Sequence, residues 1–309
     1  MSFARNALSL AIVLTFALRL SAQDAGKPFE EPPAVDGTRT LASLEQRISA
    51  PPQAFLAMFP DRTVTPHVMT PDEHRKFLDA VHKLTPLQQS VLRDRLESFS
   101  FVDGIPNTAL TYPVNQKDPN TRYYISIRGG VLDDTLSQFL TWKERTMFDF
   151  SNSSLTLNVD GGNMDAIVYI LLHEATHVVD LSMGLSQGRD RTLYSADRIW
   201  QSNRDPVPQY RNALLESILF RTDTEKKISI TQAAALYGAL SHTPFVSLYG
   251  SNNRGDDLAE LVAWYDLSQK LGQPYQIQLW DGHTMVFHYD PMRNRKVRKR
   301  FGQINFLYR

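Results

Sequence analysis

The stretch "LLHEATHVVD", Leu171 to Asp180, decides how the chain folds. It places two histidines four residues apart, with a glutamate directly after the first, inside the apolar run "IVYILLHEATHVVDL". That spacing puts His173 and His177 on one helix face, one turn apart. The segment from Asn163 to Gly184 is apolar on nearly all sides, so the helix it predicts is central and buried. Unpaired polar groups there would be costly. Two neutral imidazoles at this spacing reach one Zn²⁺ at ~2.0–2.1 Å. Glu174 leans toward the open position beside them, where it takes a proton from water and passes it on. The competing reading is a buried helix whose histidines bond to backbone or carboxylates, with no metal.

Outward from this helix, composition narrows the chemistry. The chain has 309 residues, room for one large domain or two small ones. Lys+Arg and Asp+Glu both number 33, so no global field draws it to nucleic acid or an anionic membrane. Cysteine is absent, which removes disulfides, thiolate metal sites and a cysteine nucleophile together. Any metal must therefore be held by His, Asp and Glu. At the N-terminus, Arg5 precedes the apolar run Ala7 to Leu18, and the small residues Ser21 and Ala22 follow. This pattern predicts a signal peptide over residues 1–22 and export to a bacterial periplasm or the medium. An uncleaved anchor competes with it, but the run is short of the ~20 residues a membrane span needs. No integral span is expected after cleavage.

Residues 23–66 are rich in proline and charge and read as a linker or surface wrap, with a short helix around Leu41 to Ile48. Residues 67–309 are expected to form a single domain. "TPDEHRKFLDAVHKL" and "TPLQQSVLRDRLESF" each begin with a capping box and a proline at the first helical position. "ALTYPV", "RYYISIRG" and "SSLTLNV" carry strand signals; "DTLSQFLTWKERTMF", "YRNALLESILFRTD", "TQAAALYGALSH" and "GDDLAELVAWYDLSQKLG" are helical in period. "YQIQLWDGHTMVFHYD" predicts a hairpin turning at Asp281-Gly282, and "INFLYR" a final strand. The class is α+β, mainly helical.

A catalytic zinc site needs a third protein ligand. Six residues after His177 stands Met183, not histidine, so the ligand is sought as a carboxylate on a later helix. The stretch Ser247 to Tyr265, "SLYGSNNRGDDLAELVAWY", offers Asp256, Asp257 and Glu260. Together, "HEATHVVD" and "YGSNNRGDDLAE" resemble the lethal-factor-type branch of the gluzincin metallopeptidases, and exported bacterial proteins with a similar ending. The resemblance covers Leu171 to Asp180 and Ser247 to Trp264. It implies a zincin-like catalytic domain with a small sheet around the HExxH helix. It also implies that Tyr249 faces the substrate carbonyl, that Asp256 is the zinc ligand and that Glu260 supports a histidine. The family carries Glu where this chain has Asp256, one methylene shorter, which keeps Glu260 a rival for the metal. Being i and i+4, Asp256 and Glu260 face the first helix together. One ligates while the other accepts a histidine N–H. Asp257 points elsewhere, as a carboxylate favoured by the helix N-terminus.

Other residues carry less. Asp180 reads as structural support. His283 and His288 lie on the C-terminal hairpin, where a turn histidine is more often solvated than catalytic. Arg293 to Arg300 holds six basic residues in eight and reads as a solvated face before an anionic-surface site. Tyr210 and Arg211 receive no role. The expectation is an exported zinc-dependent hydrolase of peptide bonds acting on a protein or peptide, with the substrate paired along "SSLTLNV". The alternative is a zinc-bound, non-catalytic module that binds a partner.

Overall fold

Helix starts in this protein are set by short capping motifs, and the computed structural model, which describes residues 44–218 and 227–309, contains three of them. Helix α1 is the short turn Gln53–Leu56. Helix α2, Pro71–His82, opens on Thr70, whose hydroxyl accepts from Glu73 N at 3.3 Å while Glu73 Oε2 accepts from Thr70 N at 2.6 Å. Helix α3, Pro86–Arg95, repeats the reciprocal box with Thr85 and Gln88. Helix α4, Leu136–Arg145, has a third box, Thr135 with Gln138. Proline stands at the start of α2 and α3, where its missing N–H costs nothing. The expected signal peptide, and the Pro-rich segment up to residue 43, lie outside the described residues.

The central helix is α5, Ala166–Met183, ended by Gly184 in the left-handed conformation at φ 65°. Fourteen of its residues, Ala166 to Thr176 and Val178 to Asp180, are buried. Among the described residues it is the one helix long and apolar enough to cross a membrane, and its burial inside the protein reads it as a core helix. Helices α2, α3 and α4 pack on it, and so does α8, Arg254–Tyr265. Between α5 and α8 come the single turn α6, Ala213–Glu216, and helix α7, Ala233–Ser241. Of the helix expected over 210–223, only α6 is present among the described residues.

Three small sheets surround this bundle. The largest has order β1-β2-β4-β3, with β1 Thr65–Pro66, β2 Leu96–Asp103, β3 Ala109–Pro113 and β4 Tyr123–Arg128. Strands β2 and β4 are parallel; β1 and β3 run antiparallel to their neighbours, leaving β3 at an edge. Strand β2 corrects the sequence reading, which carried the α3 helix on through "LESF". Leu96 turns to φ −81°, ψ 128°, and the segment enters the sheet. There Phe99 and Phe101 meet Phe77 edge-on, while Val102 joins a second cluster with Phe55, Ile105 and Tyr112. A strand buried on both faces loses the alternation that would have announced it.

Strands β5, Phe148–Asp149, and β7, Ile228–Ser229, form a parallel pair. Strands β6 Leu155–Asp160, β8 Gln276–Asp281 and β9 Thr284–Tyr289 form an antiparallel sheet, with Gly282 at φ 56° in the expected turn. The expected C-terminal strand is instead a 3₁₀ helix, Phe301–Tyr308. Phe301, Ile304 and Leu307 recur every third residue, which suits three residues per turn rather than alternation. The segment before β1 is anchored: Leu44 and Phe55 are fully buried, and the Arg47 guanidinium donates to Leu92 O, Arg93 O and Leu96 O at the end of α3. The one-turn helix Arg295–Arg298, α9, completes the set. Helices outweigh strands, and the chain is a mixed α/β protein with small sheets, compatible with the α+β class.

Candidate metal centre

The middle of α5 meets the first turn of α8, and three side chains converge there. Asn253 caps α8: its Oδ1 accepts from Asp256 N at 2.9 Å, and its Nδ2 donates to Asp256 Oδ2 at 2.6 Å. The cap thus occupies one carboxylate oxygen and leaves Oδ1 facing the histidines. Asp256 Oδ1 lies 3.4 Å from His177 Nε2 and 3.8 Å from His173 Nε2, and the two Nε2 atoms are 3.0 Å apart. Among the described residues, His173, His177 and Asp256 are the group that could hold a metal ion. The distances bear on whether one fits. Donors ~2.0–2.1 Å from a tetrahedral ion are separated by about 3.3–3.4 Å. The three observed separations straddle that value. A direct hydrogen-bonded cluster fits less well, because only one proton can lie between the two Nε2 atoms and Asp256 Oδ1 stays beyond a good hydrogen bond from both.

Glu260, one turn after Asp256, lies behind His173 rather than among the donors. Its Oε1 is 2.9 Å from His173 Nδ1, a close approach that is poorly aligned for donation. The distance makes it an ionic and orienting contact. Ser247 Oγ donates to Glu260 Oε2 at 2.6 Å, the Tyr169 hydroxyl donates to Oε1, and Lys143 Nζ is 3.7 Å away. Lys143 also donates to the Tyr169 hydroxyl at 2.6 Å.

Electrostatics follow from this packing. Burial alone would lower the His173 pKa, but the neighbouring carboxylates of Asp256 and Glu260, with the charge of Glu174, push it up to about 9. Burial would raise Asp256, yet the two imidazoles hold it well below the ordinary carboxylate range. Glu260 is likewise pushed up by burial, but Lys143, His173 and Ser247 bring it down to about 2. A metal-free centre therefore keeps a proton on an imidazole, and a cation would replace that proton.

Glu174 is 7% exposed, and its Oε2 accepts from the Thr111 hydroxyl at 2.6 Å. Thr111 lies on the edge strand β3. Thr108 O accepts from Arg128 N and Val114 N donates to Arg122 O, both at 2.8 Å. Even-numbered residues of β3 therefore bond to β4, and the main-chain groups of Ala109 and Thr111 point away from the sheet. The Tyr249 ring lies 5.6 Å from the His173 ring, with Lys143 Nζ 4.3 Å from its centroid. Asp256 first, then burial, then Glu174 and Glu260 raise the Tyr249 pKa well above its ordinary value, so its hydroxyl stays protonated.

Other sequence candidates fall elsewhere. The sequence reading pairs strand β6 with substrate, but α4 takes the Val159 end of its edge: the Thr141 hydroxyl donates to Val159 O and accepts from Val159 N, and Ser137 Oγ accepts from Gly161 N. The open edge that touches Glu174 is β3. Asp180 is buried, its Oδ1 accepting from Ser186 N at 2.6 Å, and it holds the loop after α5. Asp257 does more than face a helix dipole: it is fully buried and forms a forked ion pair with Arg300. That corrects the basic run too. Arg293, Arg295, Lys296, Arg298 and Lys299 are exposed, but Arg300 is buried. His283 and His288 are exposed on the β8–β9 hairpin, outside the donor group. Arg211 is held by Pro206 O and Asp205, and Tyr210 lines a cleft with Phe245 and Leu215. Sequence reading missed Thr111, Lys143, Tyr169 and Ser247, whose partners are brought to them only by folding.

Compared with known proteins, the chain matches no family model, no curated protein and no solved structure.

Proposed function

We propose that the protein is an exported, zinc-dependent hydrolase of peptide bonds, related in its site to the lethal-factor-type gluzincins. The observation that carries this reading is the convergence of His173, His177 and Asp256 with Glu174 beside them. Two imidazoles and one carboxylate suit zinc, and three protein ligands with an open fourth position are the catalytic rather than the structural pattern. A structural staple has no need of a glutamate next to its first histidine. Export is supported by the N-terminal apolar segment and its small residues.

When bound, the zinc ion supplies a water acidic enough to attack near neutral pH. The chain's own groups do the rest. Glu174 accepts the proton of the attacking water and delivers it to the leaving amine. Thr111 holds the Glu174 carboxylate in place until then. Glu260 fixes the orientation of His173. Tyr249, kept protonated, donates toward the substrate carbonyl oxygen as negative charge develops there. The open edge of β3 offers the N–H and C=O groups of Ala109 and Thr111 to an extended peptide, and Pro113, lacking an N–H, ends that ladder.

The test is Glu174→Gln. The variant should keep zinc and the folded state but lose about 10²–10⁴-fold in hydrolysis, the usual share of acid–base catalysis. Cleavage of a denatured-proteome peptide library by the wild type and not by the variant supports the reading. Equal patterns in both, or no cleavage by zinc-loaded wild type, sink it.

A further inference from the structure

The first turn of α8 is gripped from two sides. On one side Asp256 faces the histidines. On the other, the next residue, Asp257, is fully buried and meets Arg300, itself buried, from the C-terminal segment. Arg300 Nη1 donates to Asp257 Oδ1 at 2.7 Å, and Nη2 to Oδ2 at 2.8 Å. The same guanidinium donates to Pro244 O at 3.0 Å, just before the Ser247–Tyr249 segment, and to the Tyr194 hydroxyl at 3.3 Å. Asp257 Oδ2 also accepts from Trp200 Nε1 at 2.9 Å. The turn is tied to the same loop by Arg254, which donates to Ser202 O, Ser186 O and Trp200 O. Ser186 in turn donates to Asp180 at the end of the HExxH helix.

A buried ion pair is a poor way to add stability, since a well-packed apolar pair often does as well or better. What a forked guanidinium–carboxylate contact supplies is direction, because two parallel bonds fix the carboxylate plane. Neighbouring side chains on a helix are about 100° apart, so fixing Asp257 fixes where Asp256 points. A metal site tolerates little error, about 0.5 Å in its ligands. We infer that Arg300 is a positioning residue for the metal centre: its fork on Asp257 sets the first turn of α8 and so aims Asp256 at His173 and His177. The inference rests on the reading that those three residues hold zinc.

The experiment measures zinc affinity by competition with a chromogenic chelator, beside the thermal midpoint of the metal-free proteins. The proteins are wild type, Arg300→Lys, and Asp257→Asn combined with Arg300→Met. The double variant removes both charges together and leaves Trp200 an acceptor. Its metal-free midpoint should move by only a few degrees, while zinc affinity falls about 10–100-fold, as for other groups that orient ligands. Arg300→Lys keeps the charge but loses the fork and should fall about tenfold. Affinity equal to wild type in both variants overturns the inference, because a merely structural pair would not be felt at the metal. If the double variant does not fold, Arg300→Lys decides alone. A wild type that binds no zinc removes the metal reading itself, and this inference with it.

Discussion

His67 and His173 both stand between two carboxylates, and the difference between them explains where a metal can sit. His67 Nδ1 is 3.0 Å from Asp103 Oδ2, and its Nε2 is 3.1 Å from Glu73 Oε1. Both ring nitrogens are spent, and the histidine works as a latch between β2 and the capping box of α2. His173 Nδ1 faces a carboxylate, Glu260, at 2.9 Å but in a poorly aligned ionic contact. Its Nε2 is turned toward another imidazole and toward Asp256, an arrangement that leaves a shared point with no proton able to satisfy all three. A histidine pair becomes a candidate metal centre when its near nitrogens face each other and a carboxylate.

The largest expected effect breaks the open cluster. Asp256→Ala should remove most zinc affinity in a chelator-competition titration, well beyond the 10–100-fold expected for Glu260→Ala. If Glu260→Ala is the more damaging of the two, Glu260 is the ligand and the assignment drawn from these distances is reversed.

That assignment shows which parts of the site could be read in advance. His173, Glu174 and His177 announce themselves by local spacing in an apolar helix, and Thr70, Thr85 and their glutamate or glutamine partners announce helix starts. Spacing also brought Asp256 and Glu260 to one face, but it could not choose between them. The choice comes from Asn253, which occupies one oxygen of Asp256, and from Ser247, Tyr169 and Lys143, which crowd Glu260. Asn253 is only three residues from Asp256, but Tyr169 and Lys143 reach Glu260 from far away in the chain. The same holds for Thr111 on Glu174 and for Arg300, hidden at the end of a run that is otherwise exposed. Strand β2 and the C-terminal 3₁₀ helix were misread for local reasons, double-sided burial in one and a spacing of three in the other.

The next effect is pH dependence, and it sharpens the contrast. With its pKa held up at about 9, against an ordinary 6.5, His173 carries a proton that zinc must displace. Apparent zinc affinity should therefore rise about tenfold per pH unit between 6.5 and 9 and then level off. The metal-free protein should behave oppositely. The stability contributed by protonated His173 is fully present below pH 6.5 and is lost as pH rises through about 9. Zinc affinity flat across this range would mean that no such proton exists.

The smallest effect belongs to the closed cluster. His67 is also raised, burial lowering it but Asp103 and Glu73 outweighing that, so its contribution too is lost on the alkaline side of 6.5. His67→Gln should cost about 1.5–3 kcal/mol in urea unfolding, the usual range for bonds to charged groups. It should leave zinc affinity at the wild-type value. A fall in zinc affinity would show the two clusters to be coupled.

The most direct test of the account is the metal content of the protein purified without chelators, measured by elemental analysis beside His177→Ala. The account predicts close to one zinc per chain in the wild type and almost none in the variant. A wild type with no bound transition metal, which also takes up none when zinc is added back, would contradict it.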